Sequence, residues 1–189
     1  MDAEDAAKTI SESDYGIHCL LVYSDLTILR KFYSSYISTQ ILDKEEVIQI
    51  MPFYETEDSV RHVLSKGYKG INNIDIDKVE NEEKTLIIAD SLRKYVGQTS
   101  NKESIWNANQ EMVKYSNELG KKGVSILGDM SAFLFEKRIQ DLINYELHLP
   151  RWFDMNLKGV CLYHQKDFDR LPEDRRRIII DHHETAITI

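Results

Sequence analysis

Residues 159–187, GVCLYHQKDFDRLPEDRRRIIIDHHETAI, contain a strand pattern and a helix pattern in direct succession. The apolar run GVCLY predicts a buried strand. Pro172 opens the segment PEDRRRIIIDHH, and a helix is predicted to begin there because proline at a first helical position sacrifices no hydrogen bond. Residues 185–189, TAITI, alternate in hydropathy like a further strand. The stretch therefore predicts a strand, a helix and a strand in sequence.

The same alternation extends through the rest of the chain. Strand patterns occur in HCLLVY, EVIQIMPFY, KTLIIAD and KKGVSILGDM, and INNIDI is a candidate edge strand. Helix patterns occur in LTILRKFYSSYISTQIL, TEDSVRHVLSKG, FEKRIQDLINYELHL and residues 103–119. Strands that alternate with helices predict an α/β fold with a largely parallel central sheet flanked by helices.

Length and composition limit the domain organisation and the partners. We expect one domain over residues 15–189 of the 189-residue chain, preceded by an acidic segment, residues 1–14, that is either a mobile tail or an appended first helix. A net charge of −8 argues against direct nucleic-acid binding, which needs a basic surface. No apolar run has the length of a membrane span. Two cysteines inside apolar strands favour a reducing, cytoplasmic location.

Motifs for nucleotide binding and for nucleophilic catalysis are missing from the sequence. The first strand-to-helix turn, VYSDLTILRKF, has no glycine, and neither GK[ST] nor GxGxxG occurs. Asp90 ends an apolar run in the manner of a Walker B strand, but we interpret it as a strand end followed by a helix cap. GxSxG is absent, and Cys19 and Cys161 are interpreted as buried packing. No cofactor is predicted.

A metal site was considered for the polar residues near the C-terminus. His164, Asp167, Asp169, His182 and His183 carry suitable ligand atoms, but their spacing matches no compact ligand motif and HExxH is absent. The sequence therefore predicts no metal ligands, and these histidines are expected to lie in a polar loop or at a helix end.

Glu146 interrupts an otherwise apolar helix face. Ile139, Leu142, Ile143 and Leu147 form an apolar stripe, and Glu146 falls on it. A carboxylate that faces the core is costly unless it is paired. Candidate partners are His18, Arg151, a hydroxyl at a strand end, or a histidine of the last helix. The alternative is a side chain at the margin of the stripe whose carboxylate reaches water.

The chain resembles the MEDS domain, the methanogen/methylotroph sensory domain of the dichloromethane-responsive repressor and of many archaeal signalling proteins. The resemblance rests on GIHCLLVYSDLTILRKFYSSYI, on GVSILGDMSAFLFEKRIQDLINYELHL with its Tyr145–Glu146 pair, and on GVCLYHQKDF and IIIDHHETAI. His164 stands where the family often has aspartate, and Glu184 where it usually has proline. Either His182 or His183 therefore corresponds to the closing histidine of the family.

This resemblance implies a RecA/KaiC-like three-layer sandwich that has lost its nucleotide-binding loop. It implies a non-catalytic sensory domain that binds a small organic ligand, derived from a hydrocarbon, and relays to a signalling partner or to a second copy. Ligands of parallel sheets bind beyond the carboxyl ends of the strands, so a pocket is expected at residues 23–25, 52–54, 90–91, 128–130 and 163–165. The predicted ligand-binding residues are His18, Tyr23, Glu146, Tyr163 and His183.

Two other functions remain open from the sequence alone. One is an enzyme on the same core that uses a histidine and a glutamate, or a metal, in acid/base chemistry. The other is a protein-interaction scaffold with a filled core and no pocket. We expect the sensory domain rather than either alternative.

Overall fold

A computed structural model describes residues 1–96 and 102–189 of the chain. Six parallel strands form one sheet in the order β3-β2-β4-β5-β1-β6. The strands are β1 (His18–Tyr23), β2 (Glu46–Met51), β3 (Leu86–Ile88), β4 (Gly123–Asp129), β5 (Leu157–His164) and β6 (Thr185–Thr188). The prediction of a largely parallel α/β sheet is confirmed.

One helix precedes β1, and the others lie in the connections between successive strands. The helices are α1 (Ala3–Glu12), α2 (Leu26–Leu42), α3 (Glu57–Lys66), α4 (Ser91–Val96), α5 (Lys102–Glu118), α6 (Ser131–Phe135), α7 (Ile139–His148), α8 (Gln165–Phe168) and α9 (Glu173–His182). A π-helical turn, Lys78–Glu82, precedes β3. The segment INNIDI is not a strand: Ile71 forms one isolated bridge with Tyr68, and the chain then runs as a loop.

Two buried apolar clusters cover the two faces of the sheet. One contains side chains of α1, α2 and α3, and the other contains side chains of α6, α7 and α9. Because side chains alternate along a strand, β1 contributes Cys19 and Leu21 to the first cluster and Leu20 and Val22 to the second. The fold is therefore the predicted three-layer sandwich.

The acidic N-terminal segment is a packed helix, not a mobile tail. The carboxylate of Asp2 caps α1, and Ala3, Ala6 and Ile10 are buried in the cluster that includes α2. Lys158 on β5 donates to the carbonyl of Ser11 at 2.8 Å. Alanines at helical spacing allow α1 to lie close to α2, so this segment contributes to the core of the domain.

The pairing of β1 with β5 fixes the face on which the polar residues lie. His18 lies opposite Gly159, and Val22 lies opposite Tyr163. Residues that face each other across a ladder project from the same side of the sheet. His18, Cys161 and Tyr163 therefore project together, toward α7 and α9.

Candidate functional site

Five polar residues meet in the interior, on the sheet face that α7 and α9 cover. His18 begins β1, Cys161 and Tyr163 lie on β5, Glu146 lies on α7, and His183 follows α9 directly. Each is buried, with at most 5% of its surface exposed. We call these five residues the His18 cluster. It contains four of the five predicted ligand-binding residues. Glu146 faces the interior together with Leu142 and Ile143, whereas Ile139 and Leu147 of the predicted apolar stripe are exposed, so the stripe is narrower than predicted.

The carboxylate of Glu146 lies at the centre of the His18 cluster. Its Oε1 accepts a hydrogen bond from the Tyr163 hydroxyl. Its Oε2 lies 3.6 Å from the Cys161 Sγ, 3.5 Å from Nε2 of His183 and 3.8 Å from Nε2 of His18. One buried carboxylate oxygen is thus surrounded by a thiol and two imidazoles.

The tautomer of His183 follows from its other ring nitrogen. Nδ1 of His183 lies 2.7 Å from the carbonyl oxygen of Ile179. A carbonyl only accepts, so Nδ1 carries the hydrogen. In the neutral ring Nε2 then holds a lone pair, and it makes no hydrogen bond to any described residue. That lone pair faces the Glu146 carboxylate, an arrangement that is repulsive unless a positive group lies between them.

His18 lies against both Cys161 and His183. Its Nε2 is 3.4 Å from the Cys161 Sγ, and its ring lies 4.0 Å, centroid to centroid, from the ring of His183. Burial and the neighbouring His183 hold the pKa of His18 well below its ordinary value. Burial and Glu146 raise the pKa of the Cys161 thiol well above its ordinary value. With no ion bound to these side chains, His18 is therefore a neutral imidazole and Cys161 is a protonated thiol.

Cys161 was missed in the sequence because an apolar run predicts inert packing for its cysteine. The signal was present in strand periodicity, since Cys161 lies two residues before Tyr163 and so projects from the same face. The two candidate closing histidines differ in position. His183 faces Glu146, whereas His182 Nε2 lies 2.6 Å from the Leu149 carbonyl oxygen.

Tyr23 does not belong to the His18 cluster. It lies five positions after His18 on the same strand, so the two side chains project from opposite faces of the sheet. Tyr23 donates to the Asp129 carboxylate at 2.8 Å, beside His164 at the carboxyl ends of the strands. The other four residues lie only partly at the expected carboxyl edge. Tyr163 is the penultimate residue of β5, and Gly128 and Met130 line the cavity beside the cluster. His18, however, is the first residue of β1, so the His18 cluster extends along the face of the sheet.

The metal set considered from the sequence does not converge. Nδ1 of His164 accepts from the backbone of Lys166, and Asp167 accepts from the Tyr54 hydroxyl. Asp169 lies 3.5 Å from Arg176. Of that set, only His183 joins the His18 cluster. Four atoms that do converge come from His18, Glu146, Cys161 and His183, which lie within 4.8 Å of one another.

The first strand-to-helix turn does not fit a phosphate. Asp25 caps α2, and its carboxylate accepts from the backbone N–H groups of Thr27 at 2.7 Å and Ile28 at 3.1 Å. Those are the donors that would bind an anion at a helix start, and a negative side chain already holds them. Asp90 is a helix cap as interpreted, since it accepts from the Arg93 N–H at 2.9 Å.

One small cavity adjoins the His18 cluster, and a second cavity lies next to the first, beneath α5. One of about 20 Å³ is lined by His18, Cys161 and Phe153 among others. The next, of about 60 Å³, is lined mainly by apolar and aromatic residues. Tyr95, Asn109, Ile126 and Tyr145 line both. An apolar space large enough for a few heavy atoms therefore lies next to the cavity that His18 and Cys161 line.

The fold and the His18 cluster define a KaiC-like α/β domain with a buried polar site in place of a phosphate-binding turn. Residues 17–183 match the family described as MEDS, the methanogen/methylotroph, DcmR Sensory domain, and the chain belongs to that family. This membership supports a sensory or signalling role. No curated protein matches the chain in sequence.

Two solved structures from Pyrococcus horikoshii OT3 are similar in fold. The KaiC-like protein PH0186 superimposes with a TM-score of 0.57 at 16% identity, over 92% of this chain and 71% of that chain. The protein of Project ID PH0250 gives a TM-score of 0.56 at 9% identity, over 100% of this chain and 88% of that chain. Among the described residues, no helix combines the length and apolar character needed to cross a membrane.

Proposed function

We propose that this domain senses a small organic compound, derived from a hydrocarbon, in the cavities that adjoin the His18 cluster. The observation that carries the proposal is a buried polar cluster, two of whose residues, His18 and Cys161, line a small cavity that lies next to a larger apolar one. Binding sites for small molecules combine apolar walls with a few convergent polar groups. The MEDS membership adds support, because it makes the chain a sensory domain.

The size of the space limits the ligand. A cavity of about 150 Å³ binds benzene, so a space of about 60 Å³ accepts a smaller compound. Met51, Ile105, Met112 and Ile126 supply an apolar wall, and Tyr145 supplies an aromatic one. We infer a ligand of one to a few carbons with a polar or halogen substituent directed toward the cluster.

We propose a role in binding rather than catalysis. The raised pKa of Cys161 leaves a thiol, which is a poor nucleophile, and the lowered pKa of His18 leaves it neutral. The alternative is an enzyme that uses Glu146 and a histidine as an acid/base pair. Incubation with ¹³C-labelled dichloromethane or methanol discriminates the two, since an enzyme produces new ¹³C signals and a sensor leaves the compound intact.

We propose that the signal leaves the domain through α7. Glu146 is 1% exposed and faces the cluster, whereas the next residue, Leu147, is 46% exposed. A shift of α7 that accommodates a ligand would therefore change the outer surface as well. Leu147 lines an open groove with Trp106 and Pro150, which a signalling partner or a second copy would contact. We expect this to occur in the cytoplasm, since both cysteines are free and buried.

Binding of dichloromethane to the full chain, measured by saturation-transfer NMR, tests the proposal. Ala108 lines the cavity of about 60 Å³, so Ala108→Ile fills it and is expected to abolish the transfer signal. Asn107→Ile is the matched control, because it adds a similar side chain at the exposed neighbouring position of α5. The proposal would be contradicted if Ala108→Ile and Asn107→Ile gave equal transfer signals. It would also be contradicted if the unmodified chain gave no transfer signal with dichloromethane, methanol or methylamine.

A further inference from the structure

We propose that His18, Glu146, Cys161 and His183 bind one divalent transition-metal ion of the zinc class. Four different ligand atoms, two imidazole nitrogens, one sulfur and one carboxylate oxygen, lie within 4.8 Å of one another in the interior. The metal site and the proposed sensory function involve the same cluster, and the inference rests on the proposed function in that respect alone. Metal binding can be disproved without disproving the sensory function.

The distances between the ligand atoms fit a tetrahedral site. Zinc bonds of about 2.0–2.3 Å at tetrahedral angles place neighbouring ligand atoms about 3.3–3.6 Å apart. In the structure, Nε2 of His18 lies 3.4 Å from the Cys161 Sγ, and the Glu146 Oε2 lies 3.6 Å from that sulfur. The same oxygen lies 3.5 Å from Nε2 of His183 and 3.8 Å from Nε2 of His18. The other two pairs, from Nε2 of His183 to Nε2 of His18 and to the Cys161 Sγ, lie within 4.8 Å, so shifts of up to about 1 Å would complete the geometry.

The unpaired nitrogen of His183 is an independent indication of a ligand. Its Nδ1 donates to the Ile179 carbonyl, so in the neutral ring the lone pair on Nε2 faces the carboxylate of Glu146. A metal ion between them would accept both lone pairs. Histidines that bind metal almost always donate their other N–H to a carbonyl or carboxylate, as His183 does. Tyr163 orients the carboxylate through Oε1 and leaves Oε2 free to coordinate.

Charge balance also favours a divalent ion. A coordinated Cys161 is a thiolate, and together with the Glu146 carboxylate it carries two negative charges, which one divalent cation neutralises. The buried ammonium of Lys158 lies on the opposite face of the sheet, paired with Glu46 at 3.2 Å. A buried carboxylate is costly without a cation or several donors, and the ion would supply that cation.

The donor set selects the metal and its role. Thiolate and imidazole ligands in tetrahedral geometry favour zinc over magnesium or calcium, which prefer oxygen. Catalytic zinc usually keeps an open position, whereas four protein ligands close the shell. The ion would therefore stabilise the site and present His18 and Cys161, which also line the cavity of about 20 Å³, to a ligand.

Cobalt is the probe for the test. The full chain, stripped of metal with a chelator and kept reduced, is titrated with Co²⁺, and the absorption spectrum is recorded. Tetrahedral coordination with thiolate gives visible d–d bands and a near-ultraviolet sulfur-to-cobalt band that saturates at one ion per chain. Zn²⁺ is expected to displace the cobalt.

The two cysteines supply matched variants, because both are buried and they lie on opposite faces of the sheet. Cys19→Ser is expected to keep the sulfur-to-cobalt band, and Cys161→Ser to lose it. Since the chain has two cysteines, a band retained in Cys19→Ser assigns the sulfur to Cys161 even if Cys161→Ser fails to fold. No binding, binding without the sulfur band, or loss of the band only in Cys19→Ser would overturn the proposal.

The two proposals are separated by repeating the dichloromethane measurement on metal-free and zinc-loaded protein. A transfer signal without any cobalt spectrum overturns the metal site and leaves the sensory proposal standing. A cobalt spectrum without a transfer signal from dichloromethane, methanol or methylamine overturns the sensory proposal and leaves the metal site standing.

Discussion

Strand β1 carries a buried polar residue at each end, and the two surroundings differ. At its start, His18 belongs to a cluster in which Nε2 of His183 makes no hydrogen bond to any described residue. At its end, Tyr23 donates to Asp129, whose other oxygen accepts from the Ser131 N–H at 2.9 Å. We call Tyr23, Tyr54, Asp129, His164 and Asp167 the Tyr23 cluster.

The difference shows where this sheet has room for a ligand. Parallel α/β sheets usually bind ligands beyond the carboxyl ends of their strands, and the Tyr23 cluster lies there. Its carboxylates are already paired with tyrosines, since Tyr54 donates to Asp167 and Tyr23 to Asp129. The His18 cluster lies on the other face and has an unpaired nitrogen, Nε2 of His183, and two residues, His18 and Cys161, that line a cavity. An unpaired polar atom that could bind a ligand therefore lies against the face of the sheet, whereas the carboxylates of the Tyr23 cluster at its carboxyl edge are already paired.

The largest expected effect is a difference in Co²⁺ affinity between variants of two buried carboxylates, Glu146 and Asp129. Glu146→Ala removes a metal ligand and is expected to weaken Co²⁺ binding by roughly two to three orders of magnitude, because structural zinc binding of about 10–16 kcal/mol is divided among four ligands. Asp129→Ala is the matched variant, since it also removes a buried carboxylate but from the Tyr23 cluster. Spectroscopic titration measures both, and similar losses of cobalt affinity in the two variants would remove the distinction between the clusters.

The stability of the Tyr23 cluster is expected to depend on pH. Burial raises the pKa of Asp129 to about 6 from 3.8, and Asp167 contributes in the same direction, while Tyr23 and Ser131 oppose the shift. A raised carboxyl pKa means that the folded state binds the proton more tightly. Asp129 therefore adds stability at acid pH, and that contribution, about 3 kcal/mol, is lost as pH rises from about 4 to above 6.

Urea unfolding at a series of pH values measures this contribution. The comparison is with Asp129→Asn, which has no group to titrate, so the difference in unfolding free energy between the two proteins should change across that window. A difference that stays constant with pH would show that Asp129 titrates normally in the folded protein.

Two buried tyrosines, each donating to a buried carboxylate, allow the next comparison. Tyr163→Phe removes the hydrogen bond that orients Glu146 and is expected to weaken Co²⁺ binding about 10–100-fold, the range for residues that orient metal ligands. Tyr23→Phe is expected to lower stability by about 1–3 kcal/mol and leave cobalt affinity unchanged. If Tyr23→Phe affected cobalt affinity as strongly, the two clusters would be coupled.

The smallest effect is expected at His164, where the family often has aspartate. Its ring caps α8 and lies 5.3 Å from the Tyr23 ring, within the Tyr23 cluster. His164→Asp retains a side chain that can cap a helix, so we expect less than about a twofold change in cobalt affinity and in the dichloromethane signal. A larger change would place the binding site at the carboxyl edge after all.

Local patterns in the sequence predicted the fold and part of the site. Strands that alternate with helices predict a parallel sheet, although they do not predict the order of its strands. The β1–α2 turn lacks glycines, and in the structure the Asp25 carboxylate accepts the N–H of Thr27 there in place of a phosphate. Glu146 was identifiable because one charge on an apolar stripe needs a partner. Its partners could not be chosen, since they come from both ends of the chain and meet only after α7 and α9 pack on the sheet.

The errors arose where strand periodicity was not applied. The family resemblance places Tyr23 and His18 in one site, although an odd separation along β1 places their side chains on opposite faces of the sheet. Cys161 was set aside for its apolar neighbours, although it shares a face with Tyr163. Which of His182 and His183 faces Glu146 depends on how α9 ends. The hydrogen bond from Nδ1 of His183 to the Ile179 carbonyl orients the His183 ring so that its Nε2 faces Glu146.

The most direct test of the central claim is a long-range ¹H–¹⁵N NMR spectrum of the histidine rings, recorded on metal-free protein before and after one equivalent of Zn²⁺. The account predicts that Nε2 of His18 and of His183 shift to metal-bound positions, that Nδ1 of His183 stays protonated, and that the His164 signals do not move. A shift of His164 with no change at His18 and His183 would place the site at the carboxyl edge and contradict the account.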